Sequence, residues 1–233
     1  KQIKEIGGEN YLISINDQDV VRALLVYDDF FLKFINNKSI KQILEISLGK
    51  KYILNLQNSP INKAHKSHYG STWHRDLSYQ HFVPSRPIAI SVLTCLDAFT
   101  EENGGTHVLP FSHKFEEFSS KKYHEKNTKK ITTSIGDVFI FDSLLYHRAG
   151  PNNTGNERKL LVHVYTLPFV KQQIDFPKML KGKYSNDEKL SYLLGYDSNT
   201  EESPPENIER SRNRNRNRNR YRKGRPRSRS PSP

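Results

Sequence analysis

The 233-residue sequence is poor in sulfur and in long apolar stretches, with one cysteine, one methionine and no run near the roughly 18 apolar residues of a membrane-spanning helix. With Cys95 alone, no disulfide can form within the chain, and its place inside the apolar run 88–96 marks it as a buried thiol. No charged segment followed by an apolar one opens the chain, which therefore reads as soluble and intracellular, cytoplasmic or nuclear. It begins at Lys1, so targeting is not read from its N-terminus. Acidic residues are missing from one end. Between Arg210 and Pro233 there are eleven Lys or Arg and no acid, which leaves 26 basic against 25 acidic residues before them. The formal charge of +12 therefore belongs to the C-terminal segment, and the rest gives no reason to expect a basic groove.

After about Asp197 the composition shifts to Ser, Pro, Glu and Asn. An Arg-Asn repeat follows from Arg212 to Arg220, and the chain ends Arg-Ser-Arg-Ser-Pro-Ser-Pro. Such a segment has too little apolar surface to offset its ordering entropy. The expectation is one domain over residues 1–196 and a disordered basic tail over 197–233. The tail's arginines, at 210–233, could contact RNA phosphates or an acidic partner without reading sequence, and phosphorylation of its Arg-Ser and Ser-Pro sites would cut the charge.

Within the domain, apolar residues recur at three- and four-residue spacing from Asp19 to Asn37, which predicts a helix capped by Asp17 or Asp19. A second helix is expected over Ser39–Leu48, ending at Gly49. From about Lys51 the pattern turns to short β-rich runs: 52–56, 88–96, 106–109, 130–134, 137–141 and 159–167. Turn signals at Asn103-Gly104-Gly105, Gly136-Asp137 and Gly150-Pro151 separate them. The runs 88–96 and 160–167 mix alternation with continuous apolarity, as in strands buried on both faces. The class is mainly β with flanking helices, helices at about 17–48 and an antiparallel barrel or sandwich over about 50–170. One more short helix is expected over Ser185–Leu194.

His74-Arg75-Asp76 is the place where a histidine has an acid two residues later. With nine histidines and 25 acids, about one such pair arises by chance, so context must decide. On an extended strand, residues i and i+2 share a face, so His74 and Asp76 can take two sites on one metal ion. A third ligand, an imidazole from a distant strand, would complete a facial triad. His147 fits, on an extended segment between the run 137–141 and the turn at Gly150. His107 and His113 flank a turn, His163 lies in an apolar strand, and His65 and His68 sit in a polar loop. Arg158 opens the next strand, where a guanidinium could pair with a carboxylate through two parallel donors.

The blocks Trp73-His74-Arg75-Asp76, Glu102–Thr106 with Leu109–His113, Gly136–Phe141, and His147–Asn152, in this order over roughly residues 50–170, resemble the phytanoyl-CoA dioxygenase family. The resemblance implies a double-stranded β-helix, a jelly-roll or cupin-like barrel. It implies iron(II) held by His74, Asp76 and His147, and 2-oxoglutarate paired with Arg158. It further implies an aromatic at Phe141 and an amide at Gln57 against the co-substrate. Relatives often carry a hydroxyl two residues past the distal histidine, where this sequence has Ala149. The turn at 103–105 is expected to shape the barrel rim, glycine permitting dihedrals that other residues avoid.

The implied activity is hydroxylation of an unactivated C–H bond in a small organic molecule, using 2-oxoglutarate and O2, releasing succinate and CO2, with ascorbate as a reductant. Two other readings are a protein or nucleic-acid hydroxylase delivered by its tail, and an inactive binding module of the same fold. DNA-dealkylating relatives carry two arginines about six residues apart after the distal histidine, of which only Arg158 fits here.

Overall fold

Eight strands organise the protein in a computed structural model that describes residues 7–15, 17–66, 69–77 and 82–198. They are β1 (Val20–Arg22), β2 (Ile53–Asn62), β3 (Ala89–Cys95), β4 (Thr106–Val108), β5 (Lys129–Lys130), β6 (Val138–Asp142), β7 (His147–Ala149) and β8 (Arg158–Thr166). A five-stranded sheet runs β1-β2-β8-β3-β6 and a three-stranded sheet β5-β4-β7, antiparallel throughout. This is the mainly β, jelly-roll class that the sequence led to. Among the described residues the pairing stops short of a closed barrel. The expected tail falls on residues that, beyond Ser198, lie outside the described ones.

The helices are α1 (Glu9–Ser14), α2 (Leu32–Ile35), α3 (Lys38–Leu48), α4 (Lys121–Asn127), α5 (Phe176–Leu180) and α6 (Glu188–Leu194); α2, α3, α5 and α6 pack on the outer face of the larger sheet, and α4 sets His124 against Trp73. The α3 helix starts where Asn37 Oδ1 accepts hydrogen bonds from the Ser39 and Ile40 amides at 3.0 and 3.1 Å, and stops at Gly49, whose φ is 82°. Ile40, Leu44 and Leu48 recur every four residues and meet Leu54, Ile90, Val92 and Tyr165 of the sheet. Each such buried aliphatic contributes about 2 kcal/mol relative to exposure. Among the described residues no helix is long and apolar enough to cross a membrane.

The long helix expected over 19–37 does not form. Val20–Arg22 instead pairs with Asn58–Pro60 as the edge strand β1. Ala23 then turns left-handed at φ 51°, and two single turns of 3-10 helix lead into α2. Asp17 and Asp19, expected as caps, hold Arg22 at 2.5 Å and Lys63 at 2.6 Å. Val20, Leu24, Leu25 and Ile35 are still buried, so the apolar spacing was real, but β-branched Val20 and Val21 gain more from a sheet edge than from a helix. The helix expected at 185–194 begins three residues late, at Glu188, capped by the Asp187 side chain. Strand β5 is shorter than expected, although Thr133 still bridges to Phe99.

The inner face of the larger sheet carries Leu56, Ala89 and Val164 in one apolar cluster, and Leu93 and Leu160 in another. At the rim, Gly104 holds φ 76°, and a Cβ there would stand 2.3 Å from the Gly150 carbonyl oxygen. The Asn-Gly-Gly turn is thus where two chain segments press together, with Asn103 bridging to Asn152.

Candidate metal centre

His74 and His147, 73 positions apart, are joined by backbone: each amide donates to the other's carbonyl at 3.0 Å. That pairing sets their rings side by side, centroids 4.4 Å apart. One step along, the Asp76 amide donates to the Ser143 carbonyl at 3.1 Å, keeping the segment extended and turning the carboxylate the same way as His74. Donor atoms of His74, Asp76 and His147 all lie within 4.8 Å of one another, and among the described residues no other such group of His, Cys, Asp and Glu occurs.

Both imidazoles are oriented by backbone two residues upstream. His74 Nδ1 donates to the Thr72 carbonyl at 2.8 Å and His147 Nδ1 to the Leu145 carbonyl at 3.0 Å. Because a carbonyl only accepts, each Nδ1 carries a proton, which leaves Nε2 as the atom that each ring can offer a metal. Burial holds the pKa of His147 below the usual histidine range; His74 adds to that effect and Asp76 opposes it. The ring is therefore neutral at neutral pH, as a metal ligand must be. His147 Nε2 lies 3.7 Å from Asp76 Oδ1.

The three residues line a cavity of about 500 Å³, counted to its open mouth, between the two sheets. Leu93, Leu160 and Val162 supply its apolar wall, and Arg158 lines it too. That arginine is only 2% exposed. Its Nε donates to the Asn103 carbonyl at 3.3 Å, its guanidinium stands 4.4 Å over the Phe99 ring, and its Nη1 is buried without a partner. Burial pushes its pKa down to about 10, which leaves it cationic at neutral pH.

The phytanoyl-CoA dioxygenase family model matches residues 8–160, a span that contains His74, Asp76, His147 and Arg158. The chain belongs to the phytanoyl-CoA dioxygenase family. An uncharacterised family relative from Mycobacterium tuberculosis is 30% identical over 183 residues, which are 76% of this chain and 66% of that protein. The chain thus spans just under two thirds of that relative. The iron/alpha-ketoglutarate-dependent dioxygenase penM of Penicillium thymicola is 30% identical over 95 residues, 38% of this chain and 30% of that one. Among solved structures, EctD from S. alaskensis, determined with 2-oxoglutarate and 5-hydroxyectoine, aligns at a TM-score of 0.55 and 19% identity, covering 64% of this chain and 56% of that one. AviO1 from Streptomyces viridochromogenes aligns at a TM-score of 0.52 and 22% identity, covering 64% of this chain and 67% of that one. These likenesses show the fold.

Against the phytanoyl-CoA dioxygenase pattern, the structure brings His74, Asp76, His147 and Arg158 to one cavity. Phe141 stands edge-on to His147, centroids 4.8 Å apart, and packs on Phe139; it touches the histidine without lining the cavity. Gln57 is a correction. A bulge between Leu54 and Leu56 shifts the register, so Gln57 pairs with His163 and faces away from Val162, Leu160 and Arg158. There its Oε1 accepts from the Leu25 amide at 2.7 Å, and its Nε2 lies 3.1 Å from His163 Nε2. His163 is a core histidine, and burial pushes its pKa down to about 4. His68 lies outside the described residues. Two features were not read from the sequence. Thr106 sits directly across from Ala149 on the cavity wall, and Ser91 donates to Asp76 Oδ2. A serine among the apolar residues of β3 was the available signal for the second.

Proposed function

We propose that the protein is an iron(II)- and 2-oxoglutarate-dependent dioxygenase that hydroxylates an unactivated C–H bond of a small organic molecule, releasing succinate and CO2. In this reading residues 1–196 form the catalytic domain. His74, Asp76 and His147 hold the iron, and Arg158 takes the distal carboxylate of 2-oxoglutarate. The observation that carries it is the pairing, in one cavity, of a two-imidazole, one-carboxylate donor set with a buried cation whose Nη1 has no partner. Family membership, the iron and alpha-ketoglutarate dependence of penM, and EctD structures solved with 2-oxoglutarate and with iron support the same cofactors.

The residues fit such a group on chemical grounds. Two imidazoles and one carboxylate suit a divalent first-row metal and leave other coordination positions open. Bound iron(II) with 2-oxoglutarate and dioxygen supplies the oxidising power for the C–H bond. The chain itself binds and orients. Asp76 contributes one negative charge, and the carbonyls of Thr72 and Leu145 fix the rings so that both Nε2 atoms converge. Arg158 offers parallel donors on a rigid, half-apolar wall, where a charge-assisted pair is stronger than in water. Leu93, Leu160 and Val162 keep water from that wall. Phe141 buttresses His147.

The test is turnover and metal together. Purified protein with iron(II), 2-oxoglutarate, ascorbate and a panel of small organic substrates should release succinate, and His147→Ala should abolish both that release and tight metal binding. Absence of succinate from the parent, with metal affinity unchanged in His147→Ala, would sink the assignment.

A further inference from the structure

The two oxygens of Asp76 have different surroundings. Oδ1 faces His147 Nε2 at 3.7 Å, while Oδ2 accepts a hydrogen bond from Ser91 Oγ. Ser91 Oγ in turn lies 2.7 Å from Ser143 Oγ. A hydroxyl has one hydrogen. Ser91 commits its own to the carboxylate, so Ser143 must donate to Ser91, which gives a one-way chain from Ser143 through Ser91 to Asp76. Both serines are 0% exposed. Ser143 also binds the neighbouring backbone: its amide donates to the Ala89 carbonyl and its carbonyl accepts from the Asp76 amide, each at 3.1 Å. One residue thus fixes the main chain of Asp76 directly and its side chain through Ser91.

Ser91 is placed on the inward face of β3, flanked there by Ala89 and Leu93, which are buried in apolar clusters. A buried hydroxyl on such a face costs about 1–3 kcal/mol unless hydrogen-bonded. Alanine would fill the position at less cost if packing were all it did. What the hydroxyl adds is a donor to one particular carboxylate oxygen, and a neighbour that makes that donor stronger by polarising it.

We propose that Ser91 and Ser143 are positioning residues that make Asp76 a one-oxygen ligand: they occupy Oδ2, so that Oδ1 alone is offered to the metal. This rests on the iron site proposed above. A carboxylate released from the pair could swing to grip the metal through both oxygens and take a position that the co-substrate needs. The serines therefore act on metal affinity and coordination number, with no contact to substrate.

The experiment is a cobalt(II) titration of metal-free protein without 2-oxoglutarate, following affinity and the visible absorption that reports coordination number, on the parent, Ser91→Ala, Ser91→Thr, Ser143→Ala and His147→Ala. Melting temperatures of the metal-free forms identify any variant that fails to fold. Ser91→Ala is expected to bind cobalt about 10–100-fold more weakly, with an altered spectrum. Ser91→Thr should restore both, and Ser143→Ala, which removes only the polarising partner, should lose less than about tenfold. A folded Ser91→Ala that keeps the parent's spectrum, with affinity within about twofold, overturns the proposal. Should Ser91→Ala not fold, the same two readings on Ser143→Ala decide it: an unchanged spectrum and affinity overturn it, and a loss of affinity supports it. If His147→Ala binds as tightly as the parent, the iron site itself falls; if only His147→Ala weakens, the site stands and the serine role falls.

Discussion

Arg158 should prove nearly neutral for stability and decisive for co-substrate binding, a combination that a merely structural arginine would not give. The perturbation is Arg158→Met, which keeps length and removes charge. Burial lowers the pKa of the arginine from 12.5 to about 10, and at about 1.4 kcal/mol per pH unit the protein without co-substrate spends about 3 kcal/mol carrying that charge. Set against this are the stacking of the guanidinium over Phe99 at 4.4 Å and one hydrogen bond to the Asn103 carbonyl. Those contribute about 2 and about 1 kcal/mol. The terms cancel to within about 1 kcal/mol, whereas truncating an ordinary large buried side chain costs about 2–5 kcal/mol. Binding is different. Removing one partner of a buried charge pair costs about 2–5 kcal/mol, so 2-oxoglutarate should bind at least about 30-fold more weakly. Urea denaturation with and without 2-oxoglutarate, in manganese-loaded protein, reads both: at about 100 times the parent's Kd the parent gains about 2.7 kcal/mol and the variant should gain no more than about 0.9 kcal/mol. The reasoning is refuted if the variant alone loses more than about 3 kcal/mol, or if its 2-oxoglutarate affinity stays within about threefold of the parent.

Three further outcomes are expected. Since burial lowers the pKa of His163 to about 4, the unfolded chain takes up its proton first, so its contribution to stability is intact above about pH 6.5 and lost as pH falls through about 4. Acid titration should show up to about 3 kcal/mol of that loss, and His163→Asn should flatten it. Gln57→Leu should leave the KM for 2-oxoglutarate unchanged while costing about 1–3 kcal/mol in urea, because its partners are the Leu25 amide and His163; a raised KM with unchanged stability would return Gln57 to the cavity. Gly104→Ala must fit a Cβ 2.3 Å from the Gly150 oxygen at φ 76°, and calorimetry should find it destabilised by more than about 2 kcal/mol.

Strands were the legible part of this fold. The apolar runs behind β3, β6 and β8 sit between turn residues, and the structure pairs them within a residue or two of where they were expected. The segment 19–37 was not legible, because an edge strand followed by two 3-10 turns and a short helix buries apolar residues at much the same spacing as one helix. In the site, His74 and Asp76 were no better than chance until ordered blocks surrounded them. What joins them to His147 is a pair of backbone hydrogen bonds, and periodicity carries no trace of such long-range pairing. Gln57 shows how small a feature defeats a facing argument. Leu54 packs under the helices, strict alternation from it would aim residue 57 into the cavity, and one extra residue at the bulge turns it out again. The basic tail, plain in composition, has no counterpart among the described residues.

The hydrogen-bonded pairing of His74 with His147 has a consequence for how such a protein can diverge. Ligand geometry is set locally, at one antiparallel bridge, and does not depend on the length of the chain between. The connection from β4 to β5, with α4 inside it, is tied to the ligand segment where Arg75, between His74 and Asp76, donates to the Ser112 and Phe115 carbonyls. A lineage can therefore vary that stretch for as long as those two carbonyls stay within reach of Arg75.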